Sequence, residues 1–166
     1  RIYQKQDDGE EKLIGCAKTI WAVLDLNSRE IVNVFDLPMF ENSVDGEVLT
    51  MARAPKMQAL HLGNLENGAV ILKADEILHE IQYSDMDYNR HCNSCKYLEW
   101  MVNASPFTDN TRPFRLDINY VKELYENDVM YTRFVKTSES TQYQQVDEKG
   151  TTCCSAKISL IEKLSC

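Results

Sequence analysis

The sequence predicts an α+β domain in which an antiparallel sheet packs against one helix. Three observations carry this expectation. Ile77, His79, Ile81 and Tyr83 alternate with Leu78, Glu80 and Gln82, the period of a strand with one face buried. Residues 94–104 then gather Cys95, Tyr97, Leu98, Trp100, Met101, Val102 and Ala104, with polar relief mainly at Lys96, Glu99 and Asn103. That distribution predicts a helix buried on most of its sides, with Asn93 or Ser94 as its N-cap. Finally, strand patterns recur at 114–124, where Phe114, Leu116, Ile118 and Tyr120 alternate, and again at 129–136 and 141–146. The turn Asp147-Glu148-Lys149-Gly150 leads into a last strand through Ala156, Ile158 and Leu160.

Ahead of this domain the pattern is looser. Residues 12–26 mix Ile14, Cys16, Ile20, Trp21 and Val23 with polar residues between turn signals at Asp7-Asp8-Gly9-Glu10 and Asn27-Ser28-Arg29-Glu30, which reads as one strand of a hairpin. A shorter strand is expected at 31–35. Pro38, Asp45-Gly46, Pro55 and Gly63 mark a connector carrying one short helix. The chain is therefore divided into 1–36, a connector 37–73, and a domain 74–166. Gly15-Cys16-Ala17-Lys18-Thr19-Ile20-Trp21 and Cys154-Ser155-Ala156-Lys157-Ile158-Ser159-Leu160 each follow an acidic, Gly-containing turn. They read as the closing hairpins of two related copies, the first without its helix.

With 166 residues, 43% of them apolar, the chain can bury a core. Its formal charge of −8 argues against a nucleic-acid surface, which needs clustered Lys and Arg. No apolar run approaches the roughly 20 residues that span a bilayer, and Arg1-Ile2-Tyr3-Gln4 has no apolar signal core. The six cysteines are unevenly spaced, so reduced thiols in the cytoplasm are expected.

The chemistry concentrates in Asp85-Met86-Asp87-Tyr88-Asn89-Arg90-His91-Cys92-Asn93-Ser94-Cys95-Lys96-Tyr97, between the first strand and the helix. In an extended segment Asp87, Asn89 and His91 face one side, so an acid, an amide and an imidazole converge. Such a set suits thioester hydrolysis: a carboxylate to hold or deprotonate water, and donors for the charge growing on the carbonyl oxygen. The helix start would add free backbone N–H groups and a positive dipole end. Asp and Asn also favour turns and caps, and Asp85 reads as a cap with a reserve role as carboxylate. His91, Cys92 and Cys95 resemble half of a zinc site, yet Cys95 falls on the helix and the adjacent Cys153 and Cys154 point to opposite faces of a strand.

The run resembles the Asp-x-Asn-x-His-x-Asn-x-x-Lys-Tyr signature of the acyl-ACP thioesterases, matched by Asp87, Asn89, His91, Asn93, Lys96 and Tyr97. Residues 15–25 are similar to the strand around the Trp that ends that family's first hot-dog domain. Tyr120-Val121-Lys122-Glu123 resembles the strand carrying its additional catalytic Glu. The resemblance implies a hot-dog fold, an antiparallel sheet wrapped around a central helix, as one complete copy plus the closing part of a first. It implies that Asp87, Asn89, His91 and Glu123 line a catalytic cleft, with Glu123 and Asp87 activating water. Asn89, His91 and a backbone N–H would polarise the carbonyl, with no acyl-enzyme and no metal or organic cofactor. Many plant members carry Cys directly after this Glu; here Leu124 stands there, which weakens a covalent route.

Tyr97, Trp100 and Met101 are the candidate acyl-chain residues, although a wrapped helix needs such side chains for packing. Arg90, Lys96, Arg112, Arg115 and Lys122 would receive an acidic acyl carrier protein or a pantetheine phosphate, or are simply solvated. The function implied is hydrolysis of fatty acyl-ACP to free fatty acid and holo-ACP. A hot-dog acyl-CoA thioesterase and a non-catalytic acyl-binding or dimerisation module are the alternatives, and a homodimer or pseudo-dimer is expected.

Overall fold

The computed structural model describes residues 1–25, 27–28, 30–40, 52–57, 77–104 and 112–162. The chain divides into two compact units, Arg1–Arg53 and Ala54–Lys163.

In the first unit, strands β1 (Ile2–Lys5) and β2 (Glu11–Gly15) form an antiparallel hairpin. Its turn closes on Gly9, whose φ of 88° is costly for a residue with a side chain. Strands β3 (Val23–Leu24) and β4 (Ile31–Val32) make a second small ladder, and 3-10 turns follow at Val34–Asp36 and Pro38–Phe40. The long strand expected at 12–26 is thus interrupted: residues 16–22 join no ladder, and Ile20 and Trp21 are exposed. Strand β1 ahead of the first turn was not foreseen. Cys16 is disulfide-bonded, which corrects the expectation of a reduced thiol there; Cys92, Cys95, Cys153 and Cys154 are free. Residues 52–57 form no regular element, and the short helix expected in the connector otherwise falls outside the described residues.

Among the described residues the second unit is a five-stranded antiparallel sheet and one α-helix. Its strands are β5 (Ile77–Glu80), β6 (Phe114–Tyr120), β7 (Val129–Lys136), β8 (Ser140–Asp147) and β9 (Thr152–Leu160), in the order β5-β7-β8-β9-β6. Helix α1 spans Ser94–Ala104, the range that the apolar pattern predicts. The register places Phe134 opposite Tyr143, Tyr143 opposite Ala156, and Ala156 opposite Ile118, so one continuous apolar row crosses four strands. These residues belong to the core that holds Tyr97, Trp100 and Met101 of α1.

The helix is buried on one stripe rather than on most sides. Tyr97, Trp100 and Met101, at spacings of three and four, are buried, whereas Ser94, Cys95, Glu99 and Asn103 are exposed. A sheet covers only the flank laid against it. The helix is fastened to that sheet by a polar bond as well: the fully buried Gln145, central in β8, donates through Nε2 to the Tyr97 carbonyl at 2.9 Å and to Thr132 Oγ1 at 3.2 Å.

Strand β6 is shorter than the 114–124 pattern suggests. Beyond Tyr120 the amides of Val121 and Lys122 both donate to the Cys153 carbonyl, at 2.8 and 3.0 Å, so the chain turns out of the ladder. Lys122 then reaches Asp147 Oδ2 at 2.7 Å, while the Lys149 and Thr151 amides donate to Asp147 Oδ1 at 2.9 and 2.8 Å. The Lys122 ammonium, followed by the backbone donors, lowers the Asp147 carboxyl from 3.8 to about 2.

Two predictions follow from this packing. Met101→Ala should cost about 2–5 kcal/mol of unfolding free energy in urea, because Met101 is 0% exposed, while Glu99→Ala on the open face changes stability by less than about 1 kcal/mol. The depressed Asp147 carboxyl contributes stability that is complete above 3.8 and fades as pH falls through about 2. Acid unfolding followed by circular dichroism should accordingly be flatter across that window for Asp147→Asn than for the parent.

Candidate active site

The segment joining β5 to α1 is a closed loop, not an extended run. After a 3-10 turn at Tyr83–Asp85, Met86 and Cys92 form an isolated antiparallel bridge. The Asp87 amide donates to the His91 carbonyl at 2.8 Å and the Arg90 amide to the Asp87 carbonyl at 3.0 Å. Arg90 takes the left-handed conformation, φ 61°, that lets the chain reverse. Within the loop Asp87 Oδ1 accepts the amides of Asn89 at 2.8 Å and His91 at 3.2 Å. Spacing by two therefore does not set Asp87, Asn89 and His91 side by side on an extended face. Asp87 organises the backbone that carries the other two.

Asp85 is buried and equally engaged. Its Oδ2 accepts the Gln82 amide at 3.0 Å, its Oδ1 lies 3.5 Å from Lys96 Nζ, and its carbonyl accepts the Asn93 amide at 2.8 Å. The start of α1 is closed off as well. Asn93 Oδ1 caps the Cys95 amide at 2.9 Å and the Asn93 carbonyl takes the Lys96 amide at 2.8 Å, so these two amides are not free for a ligand.

A second loop, residues 121–128, completes the site. The Leu124 side chain is fully buried and its carbonyl accepts the Cys92 amide at 2.8 Å, which joins this loop to the first. On either side of that anchor, Glu123 and Tyr125 are exposed. Glu123 Oε1 comes within 3.5 Å of His91 Nδ1, with the two side chains 54% and 27% exposed. Tyr125 Oη donates to Glu123 Oε2 at 3.2 Å, and its ring stands edge-on to the His91 ring at 5.3 Å and 89°. Sequence reasoning singled out Glu123 and His91 but missed Tyr125. The available signal was local: Glu123 and Tyr125 flank an apolar residue, so both leave on the side opposite to Leu124.

The remaining candidates fall elsewhere. Asn89 is exposed, with its side-chain amide unpaired among the described residues. A cleft of about 620 Å³ runs beside the first loop, lined by Tyr83, Met86, Asp87, Tyr88, Arg90 and Glu126 among others; His91 and Glu123 are not in its wall. Tyr97, Trp100 and Met101, the candidate acyl-chain residues, are packed in the core. Cys92, next to His91, has its thiol pushed up to about 12, chiefly by burial and then by Asp85, so it is protonated at neutral pH. Among the described residues no three His, Cys, Asp or Glu side chains converge as a metal site. Of the cations near the motif, Lys96 pairs with Glu99 and Asp85, Arg112 with Glu139, Arg115 with Asp117 and Lys122 with Asp147. The Arg90 guanidinium has no such partner among the described residues.

Comparison with curated proteins gives no match. Two solved structures illustrate the fold likeness. The acyl-ACP thioesterase of Bacteroides thetaiotaomicron superposes with a TM-score of 0.60 at 19% identity, over 83% of this chain and 53% of that one. The 12:0-ACP thioesterase of Umbellularia californica gives 0.60 at 16% identity, over 84% and 53%. The chain thus spans about half the length of these structures, and at such identities the likeness establishes the fold, a hot-dog. Residues 69–162 match the family described as acyl-ACP thioesterase C-terminal domain, a stretch holding the sheet, the helix and both site loops. A match over more than half of its residues makes the chain a member of the acyl-ACP thioesterase family, through that family's C-terminal domain.

Proposed function

We propose that this chain hydrolyses fatty acyl thioesters delivered on acyl carrier protein, releasing free fatty acid and holo-carrier by direct attack of water. The observation that carries the reading is the 3.5 Å contact between His91 Nδ1 and Glu123 Oε1, built from two separate loops and open to solvent. Glu123 accepts a proton from water as the water oxygen bonds to the acyl carbon, and His91 stabilises the carboxylate beside it. Asn89 donates its unpaired amide N–H to the carbonyl oxygen as charge builds there. The C–S bond then breaks, and the thiolate of the carrier arm takes back the proton held on Glu123. Asp87 acts through the loop, holding Asn89 and His91 by their amides. A cysteine nucleophile is disfavoured by two features: Leu124 follows Glu123 and is buried, and the Cys92 thiol is held protonated.

The same reading pairs the domain with a second hot-dog copy, in one chain or between chains; a clean monomer in light scattering would count against that. The direct experiment measures fatty-acid release from acyl-ACP across chain lengths. Glu123→Gln and His91→Ala should each lower turnover on the order of 100-fold. Wild-type rates in both variants would sink the assignment. Faster turnover of acyl-CoA than of acyl-ACP would move the substrate to coenzyme A, and acyl ligand that binds without turnover would leave a non-catalytic acyl-binding module.

A further inference from the structure

The catalytic pair proposed above, on which this inference rests, is a half-exposed carboxylate facing an imidazole. A glutamate so open to solvent has several rotamers available, and only some bring Oε1 toward His91. Three features show that the geometry is held from a third side. Tyr125 Oη donates to Glu123 Oε2 at 3.2 Å, so each carboxylate oxygen has its own partner, Oε1 toward His91 and Oε2 toward Tyr125. The Tyr125 ring stands edge-on to the His91 ring at 5.3 Å, closing one flank into which the imidazole could swing. Tyr125 is itself fixed by its backbone, its amide donating to Asp128 Oδ2 at 2.9 Å and its carbonyl accepting the Asp128 amide at 3.0 Å. Asn127, in the left-handed conformation with φ 68°, lets that turn close. The Tyr125 side chain remains 47% exposed, so core packing does not require it. We propose that Tyr125 is a positioning residue: its hydroxyl orients the Glu123 carboxylate toward His91 while its ring limits the imidazole.

Tyr125→Phe in the full chain removes the hydroxyl and keeps the ring. Losing one such hydrogen bond should lower kcat about 3- to 10-fold, with KM and the thermal midpoint unchanged. In a Glu123→Ala background the same substitution should have no further effect, since the group it orients is gone. A readout independent of turnover is the NMR signal of the His91 Cε1–H, because Phe preserves the ring current. Tyr125→Phe should displace that signal in the parent and leave it in place in the Glu123→Ala chain. An unchanged kcat, an equal loss in both backgrounds, or an unmoved His91 signal would overturn the proposal. A displaced signal in a chain that hydrolyses no acyl thioester would support the positioning contact and overturn the hydrolytic reading instead.

Discussion

The amide of Cys92 and the carbonyl of Leu124 meet at 2.8 Å between two residues whose side chains are buried. Leaving either polar group unpaired there would cost on the order of 1–3 kcal/mol, and exposing the Leu124 side chain roughly 1.5–3 kcal/mol more. The bond therefore fixes the entrance of α1 against the loop that follows β6. The candidate site residues His91 and Glu123, with Tyr125 beside them, each lie one residue away on the outer side. His91 precedes Cys92, and Glu123 and Tyr125 flank Leu124, so burying the anchors brings the three outward side chains within reach of one another. The Glu123–His91 contact, with both partners open to water, contributes little to stability itself. Its geometry is a product of backbone bonds and buried apolar groups beneath it.

Carboxylates in this domain divide according to whether the backbone claims them. Asp85, Asp87 and Asp147 each accept backbone amides and hold a turn closed. Among the described residues Glu123 accepts no backbone donor; its partners there are the His91 and Tyr125 side chains. A carboxylate bonded by fixed amides is tied to its own loop, whereas one bonded only by side chains at the surface can exchange a partner for water. Cations follow a parallel pattern. Lys96, Arg115 and Lys122 are engaged by neighbouring acids, and Arg90, raised on the reversed loop, keeps its charge unpaired among the described residues.

Regular elements were legible where a period is long and locally self-consistent. Helix α1 over Ser94–Ala104 and strand β7 over Val129–Lys136 could be read from apolar spacing, while residue type narrowed the cap to Asn93 or Ser94 and the structure gives it to Asn93. The ends of elements were not, because they depend on which donors a neighbour supplies. Strand β6 stops at Tyr120 when the next two amides share the Cys153 carbonyl, a residue far along the chain. In the same way residues 16–22 have strand-like composition, but among the described residues no ladder takes them up. Composition can state that a segment would suit a sheet; it cannot supply the partner strand.

The sequence by itself determined the family and the hot-dog class, because residue identities in a fixed order survive whatever the backbone does between them, and it named Asp87, Asn89, His91 and Glu123 as candidates. Only the tertiary structure decided where those side chains are placed. Alternation assumes a straight backbone, and here Arg90 reverses it, so Asp87 accepts the amides of Asn89 and His91 instead of sharing one extended face with their side chains. Pairing of His91 with Glu123, and the entry of Tyr125 beside them, required two loops to be locked across the core by one hydrogen bond, a contact between distant positions that no local pattern encodes.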